Sequence, residues 1–324
     1  MLYSEEWIAP PGFRLPGFII CGAMKCGTST VHALLEKHPA VFVPKDEVNF
    51  FDIDDIFQHS DFFINGSERW HVPNILDGST RYWEWYQRFF QEAPSDAILG
   101  EDSTCYLASP RAFKRIGMQE QPIKLVVCLR QPTQRAYSQY WHMLRTGRAM
   151  FTFEDTLRFI PSMVLARSMY LEQVRRMLEF IPRERVFFFV LEEFVSDKAG
   201  IAKGLSDFLG IDYSLFPSDA LQTHTNKAKF PRSVRLQALK NRMLRSAGNQ
   251  QYVGRLPYSV DIGSRQMPLA ARAIEWVHNR INPSRMGATP KMEASTKEFL
   301  DDFFRRELDG LSELVGKDLE KYWY

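Results

Sequence analysis

Three short, continuously apolar runs restrict this chain more than any other feature. FIIC at 18–21, KLVVCL at 124–129 and RVFFFVL at 185–191 are too short to cross a bilayer. They are also too uniformly apolar for strands with one wet face, and so read as buried parallel strands. A weaker run, AILG, stands at 97–100. The segments between them, such as STVHALLEKH, QRAYSQYWHMLRTG and MYLEQVRRMLEFI, have helical periodicity. Strands alternating with helices predict an α/β fold, a parallel sheet covered by helices on both faces. Near the end, STKE at 295–298 reads as a capping box. It would open an amphipathic helix with Phe299, Leu300, Phe303, Phe304, Leu308 and Leu311 on one side. With no dividing linker, 1–324 reads as a single domain, and 246–268 as a long surface loop or lid.

The first run leads into GAMKCGTST, residues 22–30, and then into a helical pattern. Gly22 and Gly27 have the G-x-x-x-x-G spacing of a phosphate-cradling turn, which makes the predicted sheet P-loop-type. Backbone N–H groups at such a helix start attract anions, and Thr28, Ser29 and Thr30 add hydroxyl donors. Thr28 stands where the usual lysine would be, and the only lysine, Lys25, lies inside the loop. The second run ends in Arg130, where Mg-nucleotide enzymes usually place an aspartate. An arginine cannot hold a cation but clasps phosphate, and Ser138 lies close enough on the next helix to join it. The third run does end in acids, Glu192 and Glu193, which keeps a Mg-dependent P-loop kinase or NTPase open as the alternative.

Composition narrows the classes further. A formal net charge of +2 argues against a whole-surface nucleic-acid binder. Locally the charge is uneven: residues 220–260 contain Lys227, Lys229, Arg232 and Arg235 among other cations and no acid. Residues 46–68 are the converse, with Glu47, Asp52, Asp54, Asp55 and Asp61 among the acids and no Lys or Arg. Cys21, Cys26, Cys105 and Cys128 lack both metal-ligand spacing and the density of a disulfide framework. The N-terminus has acids and prolines where a signal peptide needs a basic start. A soluble, cytoplasmic protein is the expectation. His71, His142, His224 and His278 form no metal signature, and Ser29 lacks a nucleophile-elbow frame.

These segments together resemble the sulfotransferases that use 3′-phosphoadenosine 5′-phosphosulfate (PAPS), closest to the heparan-sulfate and carbohydrate branch and its soluble prokaryotic relatives. GAMKCGTST is similar to that family's 5′-phosphosulfate loop, with Lys25 in its lysine position. LRQPTQRAYSQY is similar to its 3′-phosphate segment, with Arg130 and Ser138 in register. PKDEVNFFD, 44–52, resembles the acceptor segment, and GEDSTCYLASP and the tail LSELVGKDLEKYW also match. The resemblance implies in-line transfer of a sulfuryl group from PAPS, with no metal required, to a hydroxyl of a glycan or hydrophobic small molecule. Glu47 would be the general base and Lys25 the group that stabilises the leaving bisphosphate. Cys26, Gly27, Thr28, Ser29, Thr30, Arg130 and Ser138 would join Lys25 in binding PAPS, with late contacts from Asn226, Lys227, Arg232 and Ser233. Asn49 and Asp52 would meet the acceptor, together with Glu101 and Asp102. Asn49 replaces a histidine of the heparan-type enzymes, and Asp102 a lysine. A third reading is a nucleotide-binding module without activity. Acid-rich 46–68, if it faces the cleft, should repel a heavily sulfated polymer and favour an uncharged or lightly charged acceptor.

Overall fold

The computed structural model of the protein describes residues 2–63, 65–66, 69–222, 229–245, 256–257 and 269–324. Its centre is a parallel sheet of five strands: β1 (Phe18–Gly22), β2 (Val41–Phe42), β3 (Ile98–Asp102), β4 (Lys124–Leu129) and β5 (Val186–Val190), in the order β2-β3-β1-β4-β5. Phe18 pairs with Gly100 on one side and with Lys124 on the other. All of β1 is buried, as is β4 beyond Lys124, and that double burial is why these runs do not alternate. Each enclosed Val, Leu, Ile or Phe contributes roughly 1.5–3 kcal/mol. The predicted strands agree to within two residues at each end, but β2 has only two residues and no readable pattern.

Helices flank the sheet: α1 (Thr28–Leu35), α2 (Ser79–Arg88), α3 (Pro132–Arg145), α4 (Tyr170–Leu178) and α5 (Ala294–Glu307) are those that matter for the site. One hydrophobic core runs from Trp7 to Trp323. Most of the aromatic residues around position 50 belong to it. Phe50 packs against Tyr86 and Trp83 with ring centroids 4.5 and 4.6 Å apart. Phe57 and Trp70 are exceptions, 89% and 70% exposed. The cysteines are free and buried. Among the described residues no helix is long and apolar enough to cross a membrane.

The capping box does not form. The last long helix begins at Ala294, with Glu293 at the cap position and no side-chain cap. The Ser295 hydroxyl turns instead to the Glu293 carboxylate. Leu300 and Phe304 face the core, whereas Phe299 is exposed and Leu311 belongs to the next helix. Of 246–268, the expected lid, only 256–257 are among the described residues.

The strand order places β1 between β3 and β4, which the chain reaches by leaving in opposite directions. In open sheets of this kind ligands bind at that reversal, outside the carboxyl ends of the strands. Here those ends carry residues 22–27 and Arg130.

Candidate active site

Residues 22–27 fold as a tight turn between β1 and α1. Gly22 has φ +119°, and a Cβ there would fall 2.6 Å from Thr104 O. Gly27 has φ +91°, and a Cβ there would lie 2.9 Å from Leu191 Cδ1. Both glycines are therefore required by positive φ and by close approach. Lys25 also has positive φ, +68°, so the turn aims this side chain at some backbone cost. α1 starts after Gly27 with no side-chain cap, so the N–H groups of its first residues have no side-chain acceptor. Thr28 is buried, Ser29 exposed and Thr30 half-buried.

A second loop stands beside the first. Arg130 Nη1 donates to Lys25 O at 3.4 Å. The Tyr170 hydroxyl donates to Arg130 O at 3.0 Å and lies 3.3 Å from Cys26 Sγ. Arg135, fully buried, donates from Nε to Met24 O at 3.1 Å and from Nη1 to Val164 O. Its Nη2 is buried without an acceptor. Burial holds the guanidinium pKa down to about 10. Among the described residues, none of Lys25, Arg130, Arg135, Arg145 and Arg167 makes a salt bridge with a carboxylate. Burial, and then Arg145, lowers the Lys25 pKa, against the opposing pull of Glu47. Ser138 sits half-buried on α3, two turns beyond Arg130.

The loops adjoin a cleft of about 1110 Å³, lined by Met24, Glu47, Asn49, His59, His142 and Arg167 among others. Glu47 is open to the water of the cleft but walled by protein on its other sides. That enclosure, and then Asp102, raises its pKa, while a 3.0 Å hydrogen bond from Thr104 Oγ1 opposes the rise. Asn49, at φ +53°, is buried with Oδ1 lacking a partner, and it lines the cleft. His142 is pushed down to about 4 by burial and by Lys25, so it is neutral near pH 7. Arg167 donates to Gln58 Oε1 at 2.8 Å and contacts Cys105 Sγ and Met24 Sδ.

The other sequence-picked acids do not line the cleft. Asp102 bonds His32 Nδ1 at 3.0 Å, which raises the His32 pKa, and its second oxygen is buried without a partner. Asp52 is fully buried against His59. Glu101 is fully buried and accepts from Tyr86, Tyr106 and Ser103 hydroxyls at 2.6–2.8 Å, which ties strand β3 to α2 and to the segment that follows the strand. Burial lifts its pKa from 4.5 to about 7. The folded state therefore keeps a proton that the unfolded chain releases at lower pH. The contribution of Glu101 to stability should be fully present below about pH 4.5 and fall by roughly 3 kcal/mol as pH rises to about 7. Denaturant titrations across that range should show this slope, and Glu101→Gln should remove it.

Among the described residues, the acid-rich stretch turns only Glu47 and Asp61 of its acids to the cleft, so the expected repulsion of an anionic acceptor is largely absent. Asp54 pairs with Arg111 and Arg115, Asp55 accepts from Ser109, and Asp61 bonds Arg148. The cleft is lined instead by Arg145, Arg148, Arg167, Arg176, Lys240 and Arg245, against Glu47, Asp61, Glu172 and Glu275. Glu192 and Glu193, the possible metal partners, are also engaged. Glu192 accepts from Gln131 N and Trp323 Nε1, and Glu193 pairs with Lys317. Arg232 is exposed, and Ser233 caps the following helix by accepting from Leu236 N. Asn226 and Lys227 lie outside the described residues. Thr104, Arg135, Arg167 and Tyr170 were not read from the sequence, because single polar residues inside apolar periodicity carry no pattern of their own.

A family model described as a sulfotransferase domain matches residues 15–257. The bifunctional heparan sulfate N-deacetylase/N-sulfotransferase 2 of Bos taurus is 26% identical over 320 residues, covering 94% of this chain and 30% of that protein. The heparan sulfate glucosamine 3-O-sulfotransferase 5 of Mus musculus is 28% identical over 184 residues, covering 53% of this chain and 46% of that protein. The chain thus spans less than half the length of these relatives. Among solved structures, a sulfotransferase from Alicyclobacillus acidocaldarius shares the fold, with a TM-score of 0.59 and 22% identity over 96% of this chain and 100% of that one.

Proposed function

We propose a function from one premise: this chain belongs to the sulfotransferase domain family. The reading is transfer of a sulfuryl group from PAPS to a hydroxyl of a glycan. The observation that carries it is the group of cations without carboxylate partners around a glycine-cradled turn, opening into the cleft that holds Glu47. A donor with two separate anionic groups fits that charge. The two glycine positions, which a side chain would fill, and the orphaned Arg135 Nη2 support the same reading.

Loop residues 25–30 would hold the phosphosulfate through N–H and hydroxyl donors, and Arg130 with Ser138 would hold the 3′-phosphate. PAPS supplies an activated sulfuryl group with a good leaving group. Lys25 provides positive charge where negative charge develops on the departing bisphosphate. Glu47 takes the acceptor proton, and its raised pKa makes it a stronger base than an ordinary carboxylate. Thr104 holds one of its oxygens and so sets its orientation. The basic cleft lining favours a glycan bearing carboxylate or sulfate groups, in the manner of the heparan sulfate named in the relatives' descriptions.

Calorimetry tests the donor site. Adenosine 3′,5′-bisphosphate should bind in EDTA, and Arg130→Ala should weaken it about 10- to 100-fold, the value of a charged hydrogen bond. Binding of ATP only with Mg²⁺, indifferent to Arg130→Ala, would restore the kinase reading.

A further inference from the structure

Asp52 and His59 form a pair that the mechanism above does not use. Asp52 Oδ1 and His59 Nε2 meet at 2.6 Å, and both side chains are nearly enclosed. The His59 ring stacks on Phe62 with centroids 4.7 Å apart and planes 12° apart. Its backbone N–H donates to Asp55 O at 2.8 Å. Ring and backbone are thereby held, while His59 lines the same cleft as Glu47 and Asn49. Nε2 is committed to the carboxylate, so a neutral ring carries its lone pair on Nδ1. A carboxylate that fixes the tautomer of an imidazole in this way is the orienting half of a catalytic dyad.

We propose that His59, oriented by Asp52, is a second catalytic base of the cleft. The proposal rests on the sulfuryl-transfer reading. An acceptor hydroxyl gives its proton to Nδ1 as its oxygen forms the new bond to sulfur. The bond from sulfur to the bisphosphate oxygen breaks, and that oxygen keeps the electron pair. Asp52 balances the imidazolium that results. The groups facing the pair are Asp55 on the same loop, Glu47, Glu101, the Tyr106 hydroxyl, the Cys105 thiol and Arg167. The cleft then has two proton acceptors.

The test compares wild type, Glu47→Gln and Glu47→Gln/His59→Gln, with PAPS as donor and a heparan-backbone oligosaccharide as acceptor. Glu47→Gln should retain a residual, pH-dependent rate. Adding His59→Gln should lower that rate by a further ~10²-fold, with bisphosphate binding by calorimetry unchanged. Asp52→Asn, which preserves shape, should displace the ionisation in the residual rate. A Glu47→Gln enzyme with no residual rate, or one whose rate and pH profile ignore His59→Gln, overturns the proposal. Nitrogen-15 spectra of the wild-type histidines give a readout independent of turnover. A neutral His59 protonated on Nε2 supports the dyad, and one protonated on Nδ1 overturns it. Wild type that binds the bisphosphate but transfers nothing speaks against the sulfuryl-transfer reading, and the spectra then decide on His59 alone.

Discussion

Lys25→Met should lower kcat by about 10²- to 10³-fold while leaving the affinity for adenosine 3′,5′-bisphosphate within several-fold of wild type. The expectation follows from where the charge sits. Lys25 is half-buried inside the turn, with Arg130, Arg135 and Arg145 within electrostatic reach. Bound phosphate still has those arginines and the loop N–H groups, so loss of one ammonium is tolerated in the ground state. A charge that appears only as the leaving group departs has fewer substitutes. Methionine keeps the stem length and, being non-glycine, leaves the strain at φ +68° in place, so the variant removes charge rather than geometry. The lowered Lys25 pKa adds a signature: wild-type rate should fall on the alkaline side at a lower pH than an ordinary lysine would dictate. Single-turnover rates and calorimetry separate the two effects. Equal losses in kcat and in bisphosphate affinity would make Lys25 a binding residue only.

The largest effect on stability should come from Arg115→Met, about 3–5 kcal/mol by guanidinium unfolding. Arg115 is fully buried, and its guanidinium serves three segments at once. It donates to both oxygens of Asp54 at 2.6 and 2.8 Å, to Phe51 O at 2.9 Å and to Leu2 O at 2.9 and 3.0 Å. It also lies 3.5 Å above the Trp7 ring. Methionine would leave the Asp54 carboxylate with only Arg111, whose guanidinium is partly exposed, and leave the Phe51 and Leu2 carbonyls without this donor. Asp54→Asn in the same chain should recover part of the loss, because a carboxylate that has lost its bidentate partner is the costly element. An Arg115→Met protein as stable as wild type would show that the pair gains no more than its desolvation costs. Since residues 51–54 lie between Glu47 and His59, the variant should also lower activity under conditions where it stays folded.

How much of this was legible depends on which residues carry pattern. The buried strands were, because burial on both faces leaves an unbroken apolar run that few other structures require. The glycine turn was, because Gly22 and Gly27 answer to backbone geometry at fixed spacing. The capping box failed because a hydroxyl at Ser295 has more than one acceptor, and Glu293 won. The acidic stretch misled because a sequence gives the sign of a charge and not its direction. Asp52, Asp54 and Asp55 each turn inward to His59, to Arg111 and Arg115, and to Ser109, partners far away in the chain except for His59. Arg115 and Arg135 were invisible for the same reason. An arginine at helical spacing looks like a wet surface until the tertiary contacts are known.

The Tyr170 hydroxyl, placed between Cys26 and Arg130, sets the two anion loops like the jaws of a locked caliper. In the proposed reading, a nucleotide is measured before it is recognised. One whose anions are spaced differently satisfies one jaw and leaves cations in the other unanswered. Selection by length of that kind needs no contact with the base, and its setting is held by one hydroxyl that touches both loops.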